Sequence, residues 1–482
     1  MKVLLINPPW PGKGYGTRSQ NRIIKLRADK YLQFPLFLGY ASAMLKKQGH
    51  EVEYIDAVYQ EFSPKETLRR VKELKSDVIL METTTPSALY DFDYMNQMKE
   101  VSNALTIMAG PHVSYFPKKS LEQCNGLDVV IKGEYDWRVI DVVKNIKDLK
   151  KVKGIAFRDK GKIIDTGIPP HCQDLDALPF PDRKTIPLDW YGEPWWNERP
   201  FANMFTSRGC PFQCTFCLWP NIIDGRKWRV RSVDNVIDEI KELVNKYGVK
   251  EINIDDGTFT VHKDRVKEIC NRIIKEKIKI LWTCNARVDT VDDEMLKLMK
   301  KAGCKLIRYG IESGSAHVLK SIKKGITFDQ MKKAVKLTQK NGILALGGFM
   351  FGFPEDTKQS VQETLELAKK LRLDMIQTSI ALPYPGSALY DECEQKGLLL
   401  TDDWKAYDMT QGLLIKTKDF DKEYLDGILK KMYKEFYFRP SFFIQTLFNI
   451  RRLSDISRNW RTLKSLLKTM AFHSKKKESC GC

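Results

Sequence analysis

No stretch of this chain reaches the ~18 consecutive apolar residues that a membrane-crossing helix needs, so the sequence offers no transmembrane span. The opening Met1-Lys-Val-Leu-Leu-Ile6 is too short for a secretory leader and runs into Asn7-Pro-Pro9 without a small-residue cleavage pattern; the expected compartment is the cytoplasm. No Pro/Ser/Gly-rich tract and no internal repeat stand out, which argues against a disordered linker protein or a solenoid. Cysteine is missing from the first 123 residues, and only Cys124 precedes Cys172. The total of 11 is odd and unevenly spread, which does not suggest a secreted disulfide framework and suits a reducing compartment. Acids are also short: 61 Asp and Glu stand against 80 Lys and Arg, a formal charge of +19. Such a charge raises nucleic acid, a membrane surface or an acidic substrate as partners, and its distribution decides among them.

What is present is ordinary globular composition, 43 % hydrophobic and 29 % charged, over 482 residues. That length predicts about three domains. Residues 1–147 alternate short apolar strands (near 2–6, 51–55, 78–81, 106–109 and 129–131) with helical patterns (35–48, 64–75 and 137–146). This predicts an α/β, doubly wound, Rossmann-like parallel sheet. Ligands of such sheets bind at the strand carboxyl ends, where Asn7, Pro8, Asp56, Thr83, Thr84, Gly110, His112, Gly133 and Glu134 fall. Residues 148–199 read as a connector with two short strands and a stretch through Pro179, Pro181, Pro187, Trp190, Pro194, Trp195 and Trp196. From 200 to 390 six strand–helix units follow, with strands near 203–207, 251–254, 279–283, 305–309, 344–350 and 375–379, the pattern of a partial (β/α)6 barrel whose working residues sit at strand carboxyl ends. Residues 391–482 read as mostly helical.

The densest chemistry is Cys210-Pro-Phe-Gln-Cys214-Thr-Phe-Cys217, a C-x-x-x-C-x-x-C loop that follows an apolar run. A structural zinc would need a fourth ligand, and none lies in the loop; a dithiol redox pair would leave the third cysteine surplus. Three thiolates instead suit a four-iron cluster with one iron left open to a small molecule. Cys270, Cys284 and Cys304 sit in apolar patterns and read as packing, and Cys480 and Cys482 as unliganded thiols on a frayed end.

With the loop and the strand ends together, residues 203–390 resemble the radical S-adenosylmethionine (SAM) superfamily. The resemblance implies that Cys210, Cys214 and Cys217 hold a [4Fe-4S] cluster, that SAM chelates the open iron, and that Phe216 packs beside its adenine. Asp255-Asp-Gly-Thr-Phe259 resembles the family's Asp-Asp-Thr-Phe, with an inserted glycine. Arg287 in Asn285-Ala-Arg-Val-Asp289 is expected to meet the SAM carboxylate, and Glu312 in Tyr309-Gly-Ile-Glu-Ser313 the ribose or amine. Gly348 and Gly352 in Gly347-Gly-Phe-Met-Phe-Gly-Phe-Pro-Glu355 would let the backbone approach adenine. Singly these segments are weak, since Asp-Asp before a helix is often a cap and Arg-x-Asp a surface pair; their order carries them.

Residues 1–147 resemble the cobalamin-binding domain that precedes the barrel in a large radical SAM branch, through Pro35-Leu-Phe-Leu-Gly39, Gly49-His-Glu-Val-Glu-Tyr-Ile-Asp56, Ala109-Gly-Pro-His112 and Lys132-Gly-Glu134. The chain departs from many cobalamin proteins in lacking Asp-x-His-x-x-Gly, so no histidine of that motif is available to cobalt, and His112 is read as positioning its loop. The segment Phe436-Tyr-Phe-Arg-Pro-Ser441 resembles tails of the branch with anaerobic Mg-protoporphyrin ester cyclases and hopanoid methylases. Beyond it, residues 439–477 hold ten Lys and Arg against one acid, Asp455, with an apolar stripe at helical spacing. That suits an interfacial helix on an anionic bilayer or a helix packed on the barrel, two readings that stay open.

The resemblance implies methyl transfer from cobalamin to an unactivated carbon of a small or lipid substrate through a 5′-deoxyadenosyl radical, with ferredoxin or flavodoxin as reductant. Oxidative cyclisation or rearrangement with the same cofactors is the nearest rival. Methylthiotransferases carry a three-cysteine N-terminal domain, which Cys124 alone cannot supply. A basic nucleic-acid-binding protein with a structural cluster is the rival of another class; it predicts stacking aromatics in a basic groove, and the apolar stripe fits it less well, so no nucleic acid is expected.

Overall fold

The computed structural model describes residues 1–10, 18, 32–193, 196–408 and 412–440, with 442, 446 and 460 as single positions. Pro194, Trp195, the basic tail and Cys480 and Cys482 lie outside the described residues, apart from those single positions. Seven strands, β1 (Lys2–Asn7), β2 (Glu51–Asp56), β3 (Val78–Glu82), β4 (Leu105–Ala109), β5 (Val129–Ile131), β6 (Ile155–Asp159) and β7 (Lys162–Asp165), form the first sheet in the order β2-β1-β3-β4-β5-β6-β7. The first five strands are parallel and open the expected doubly wound order. Val3, Leu4, Leu5 and Ile6 are all fully buried, as continuous apolar strands covered on both faces should be. β6 and β7 come from the segment read as a connector, yet they add antiparallel to β5 and extend the sheet edge. Their alternation was legible; their partner, across a loop, was not.

The second sheet holds six parallel strands, β8 (Phe201–Met204), then β11 (Glu251–Ile254), β12 (Leu281–Ala286), β13 (Cys304–Glu312), β14 (Leu344–Phe351) and β15 (Met375–Ile380), in chain order from edge to edge. Between its first two strands, β9 (Ser207–Arg208) and β10 (Arg229–Val230) pair antiparallel and bracket the cysteine loop. Four helices of this half start on side-chain caps: Ser232 accepts from Asn235 N, Asp292 from Met295 N, Thr327 from Gln330 N and Thr357 from Ser360 N.

The far edge is closed by the helix Lys422–Tyr437. Tyr437 Oη accepts from Ile376 N at 3.0 Å and donates to Ile376 O at 3.2 Å, while Tyr433 Oη accepts from Thr378 N at 3.1 Å. Two stacked tyrosines thus supply the edge of β15 with the partners that a neighbouring strand would otherwise give. The start of the tail-like motif therefore packs on the barrel. No helix among the described residues is long and apolar enough to cross a membrane.

Candidate active site

The cysteine loop is held from three sides. The Asp256 carboxylate accepts from Thr206 N and Thr206 Oγ1 at 2.6 Å each, and from Ser207 N and Oγ at 3.1 and 2.6 Å, pinning the turn between β8 and β9 to the end of β11. From the first sheet, Glu134 takes a bidentate pair from Arg229, at 2.7 and 3.1 Å, and Asp136 is paired with Arg208, two residues before Cys210. Burial by itself would raise Glu134, but Arg208 and Arg229 hold it below the ordinary carboxylate range. Within the loop, Cys210 N donates to Gly225 O at 3.3 Å and Thr215 N to Ile322 O at 3.1 Å.

Cys214 is buried, and Cys210 and Cys217 are half-buried. Burial, then the proximity of Cys210 and Cys214, pushes the Cys217 thiol up to about 12. A thiol held that high needs a bound cation to become a thiolate at neutral pH. Among the described residues no three His, Cys, Asp or Glu side chains converge on one metal ion. A four-iron cluster, which takes each thiolate on a separate iron, fits the set.

Around the loop stand the ends of β12, β13 and β14. Arg287, 5 % exposed, lays its guanidinium carbon 3.8 Å from the centre of the Phe212 ring. Its Nε and Nη2 donate to Asp289 at 2.9 Å each, and Nη2 also to Lys324 O at 2.9 Å; Nη1 is buried with no protein partner. A buried guanidinium with one donor pair left over fits a carboxylate, as the amino-acid end of SAM carries. Glu312, in a left-handed backbone conformation (φ +66°), receives Lys324 Nζ at 2.7 Å. Phe216 is half-buried, its ring 5.7 Å from that of Phe353.

Gly348 has nothing nearer than Tyr309 O, 3.6 Å from where a side chain would begin, so its face is open. At Gly352 a Cβ would fall 2.8 Å from Leu413 Cδ1, and the glycine N–H donates to Asp356 at 2.9 Å. That glycine serves a turn, with φ +91°, under the C-terminal region. Asp255 faces Asn203 Nδ2 at 3.4 Å and Arg308 at 3.8 Å, whereas its neighbour Asp256 is consumed by the β8–β9 turn. Lys324 and Phe212 were missed by sequence reasoning, since Lys323-Lys324-Gly325 reads as a solvated turn.

At the ends of β1, β2 and β3, where strand order reverses, a small crevice is lined by Asn7, Arg18, Gln33, Asp56, Glu82 and Tyr191 among others. Asn7 Nδ2 donates to Asp56 at 2.9 Å, and Arg18 binds Asn7 Oδ1 at 2.7 Å, Pro8 O at 2.9 Å and Asp91 at 2.7 Å. Thr83 and Thr84 are buried, with Thr83 Oγ1 donating to Asp91 at 2.6 Å. Gln33 Oε1 is buried without a partner, an acceptor suited to a ligand rimmed with amide donors, as a corrinoid is. Gly110 (φ +112°) lets the chain pass the Thr83 carbonyl, where any Cβ would collide.

Two expected contacts are placed otherwise. His112 is fully buried, its ring 4.2 Å from Trp404 and 5.4 Å from Phe116, with Nδ1 3.4 Å from Thr85 Oγ1. Burial, with Lys119 adding to it, drives its pKa down to about 3, so it is a neutral packing residue in an aromatic box. Glu134 belongs to the ion network behind the cysteine loop, because two barrel arginines reach it first. Gly133 N is held by Ser114 Oγ at 3.0 Å.

Residues 204–368 match the family model of the radical SAM superfamily, and residues 27–139 that of the B12 binding domain. An uncharacterized methyltransferase of Pyrococcus horikoshii is 35 % identical over 454 residues, covering 93 % of this chain and 95 % of that protein. The anaerobic magnesium-protoporphyrin IX monomethyl ester cyclase of Cereibacter sphaeroides is 29 % identical over 429 residues, 85 % of this chain and 68 % of that one. Among solved structures, the radical SAM methyltransferase TsrM of Kitasatospora setae, with cobalamin and a [4Fe-4S] cluster, superposes with a TM-score of 0.67 over 83 % of this chain and 79 % of that one, at 18 % identity.

Proposed function

We propose, from the premise that the chain belongs to the cobalamin-binding branch of the radical SAM superfamily and is a methyltransferase of that branch, that it methylates an unactivated carbon of an apolar small molecule or lipid. When bound, the cluster, SAM and cobalamin supply a substrate radical and a methyl group. Cys210, Cys214 and Cys217 hold the cluster as thiolates, in a loop gripped by Asp256 and by the Glu134 and Asp136 ion pairs. Arg287 Nη1 takes the SAM carboxylate, Glu312 its amine or ribose, and Phe216 and the open face of Gly348 flank its adenine. Asp255 lies at the barrel mouth with Asn203. On the other side, Asn7, Pro8, Thr83, Thr84, Gly110 and Gly133 form the strand-end rim on which cobalamin rests. His112, locked against Trp404, leaves cobalt without a histidine ligand from this loop.

The reaction takes a small-molecule substrate and a reductant; a ferredoxin or flavodoxin in the cytoplasm fits the second, and the basic, apolar-striped tail a lipid surface presenting the first. The observation that carries the reading is the buried, unpartnered Arg287 Nη1 beside Phe212 of the cysteine loop, in a chain whose first domain matches a B12 module. Anaerobic reconstitution with iron, sulfide and hydroxocobalamin, followed by SAM and reductant, tests it. Retained corrinoid with both 5′-deoxyadenosine and S-adenosylhomocysteine is expected. Corrinoid and deoxyadenosine without S-adenosylhomocysteine would move the assignment to cyclisation or rearrangement.

A further inference from the structure

Lys324 is nearly buried, 6 % exposed, in a tight turn between Lys323 (φ +52°) and Gly325 (φ +65°). A lysine is rarely found so deep unless its ammonium is paired. This one touches the site through both ends. Its carbonyl oxygen receives Arg287 Nη2 at 2.9 Å, and its Nζ donates to Glu312 Oε1 at 2.7 Å. The same Nζ stands 6.0 Å from the centre of the Phe216 ring. Space for the pair is made by Gly310: a Cβ there would fall 2.7 Å from Lys324 Nζ and would collide with the Glu312 carboxylate. Burial opposes the charge on Lys324, but Glu312 and then Cys214 outweigh it and keep the ammonium protonated.

We propose that Lys324 is a positioning residue that sets Glu312 and Arg287 for the two polar ends of SAM and lends its positive charge to the cluster bound by Cys214. Through the carbonyl it fixes the plane of Arg287, so that Nη1 is the donor left free. Through the ammonium it turns the Glu312 carboxylate. A fixed cation beside a thiolate-held cluster favours the more reduced, more negative form, so removing it lowers the reduction potential. The inference rests on the radical SAM reading of this site.

The test uses the full chain with its cluster reconstituted anaerobically, in four forms: wild type, Lys324→Gln, Lys324→Arg and Gly310→Ala. Iron and sulfide per chain are measured first. An EPR-monitored redox titration without SAM then gives the potential, and titration of the reduced EPR signal with SAM gives its affinity. Lys324→Gln is expected to keep its cluster, lower the potential and weaken SAM about tenfold or more, the loss of a charge-assisted contact. Lys324→Arg is expected to keep the potential near wild type, and Gly310→Ala, which displaces the pair but keeps the charge, to weaken SAM with less change in potential. Wild-type potential and SAM affinity in Lys324→Gln would overturn the proposal. So would loss of the cluster from Lys324→Gln and Gly310→Ala alike, which would make the pair a folding element of the loop. A wild-type EPR signal that does not respond to SAM would overturn the radical SAM reading itself.

Discussion

Glu134 of the N-terminal domain and Arg229 of the barrel ribbon form a buried bidentate ion pair, at 2.7 and 3.1 Å, across 95 residues of sequence. The pair closes behind the cysteine loop, with the Asp136–Arg208 pair beside it, so the first domain helps to set that loop. Replacing Glu134 by Gln should leave Arg229 with an uncompensated buried charge, which costs about 3–5 kcal/mol. Urea unfolding of the variant should show that loss together with reduced iron per chain after reconstitution; unchanged iron content would uncouple the interface from the loop.

Alanine at Cys210, Cys214 or Cys217 should abolish iron and sulfide binding and the formation of 5′-deoxyadenosine. Alanine at Cys284, fully buried in β12, should keep the full cluster content and lose only packing, about 1 kcal/mol. Metal analysis and visible absorption separate the two groups; cluster loss from Cys284→Ala would place that thiol in the metal site.

Arg287→Gln should raise the KM for SAM about tenfold to a hundredfold, the cost of a charge-assisted hydrogen bond, with iron per chain unchanged. Steady-state kinetics of SAM cleavage check this. A wild-type KM would show that Nη1 meets something other than SAM.

His112 is held at a pKa of about 3, against 6.5 when unfolded, by burial and then by Lys119. The unfolded chain therefore takes up a proton below pH 6.5 that the folded chain refuses. This stability is fully present above pH 6.5 and declines as pH falls toward 3, by about 1.4 kcal/mol per unit. His112→Phe should flatten that slope, the difference from wild type amounting to about 2 kcal/mol at pH 5 in denaturant titrations. Parallel slopes would mean that the ring is protonated in the fold.

Tyr437→Phe should cost about 1–3 kcal/mol, because Ile376 N and O at the sheet edge lose one hydroxyl that serves both. Thermal unfolding measures it, and an unchanged midpoint would show that water replaces the hydroxyl.

The three-cysteine loop, the order of strand-end segments behind it and two α/β halves were legible in the sequence alone, because each is a local pattern: a spacing or a period. The sequence also determined that no Asp-x-His-x-x-Gly histidine is offered to cobalt. Only the tertiary structure decided which polar residues at those strand ends are spent on the fold. Asp256 and Asp255 are adjacent, yet the first is consumed by Thr206 and Ser207 while the second faces the barrel interior. Glu134, expected at a ligand rim, is taken by Arg229. Lys324, a charge in a turn by sequence, becomes the buried partner of Glu312. The physical reason is common to all of them: a buried charge is satisfied by whatever the fold brings within about 3 Å, and that neighbour comes from another strand or domain, beyond the reach of any local period.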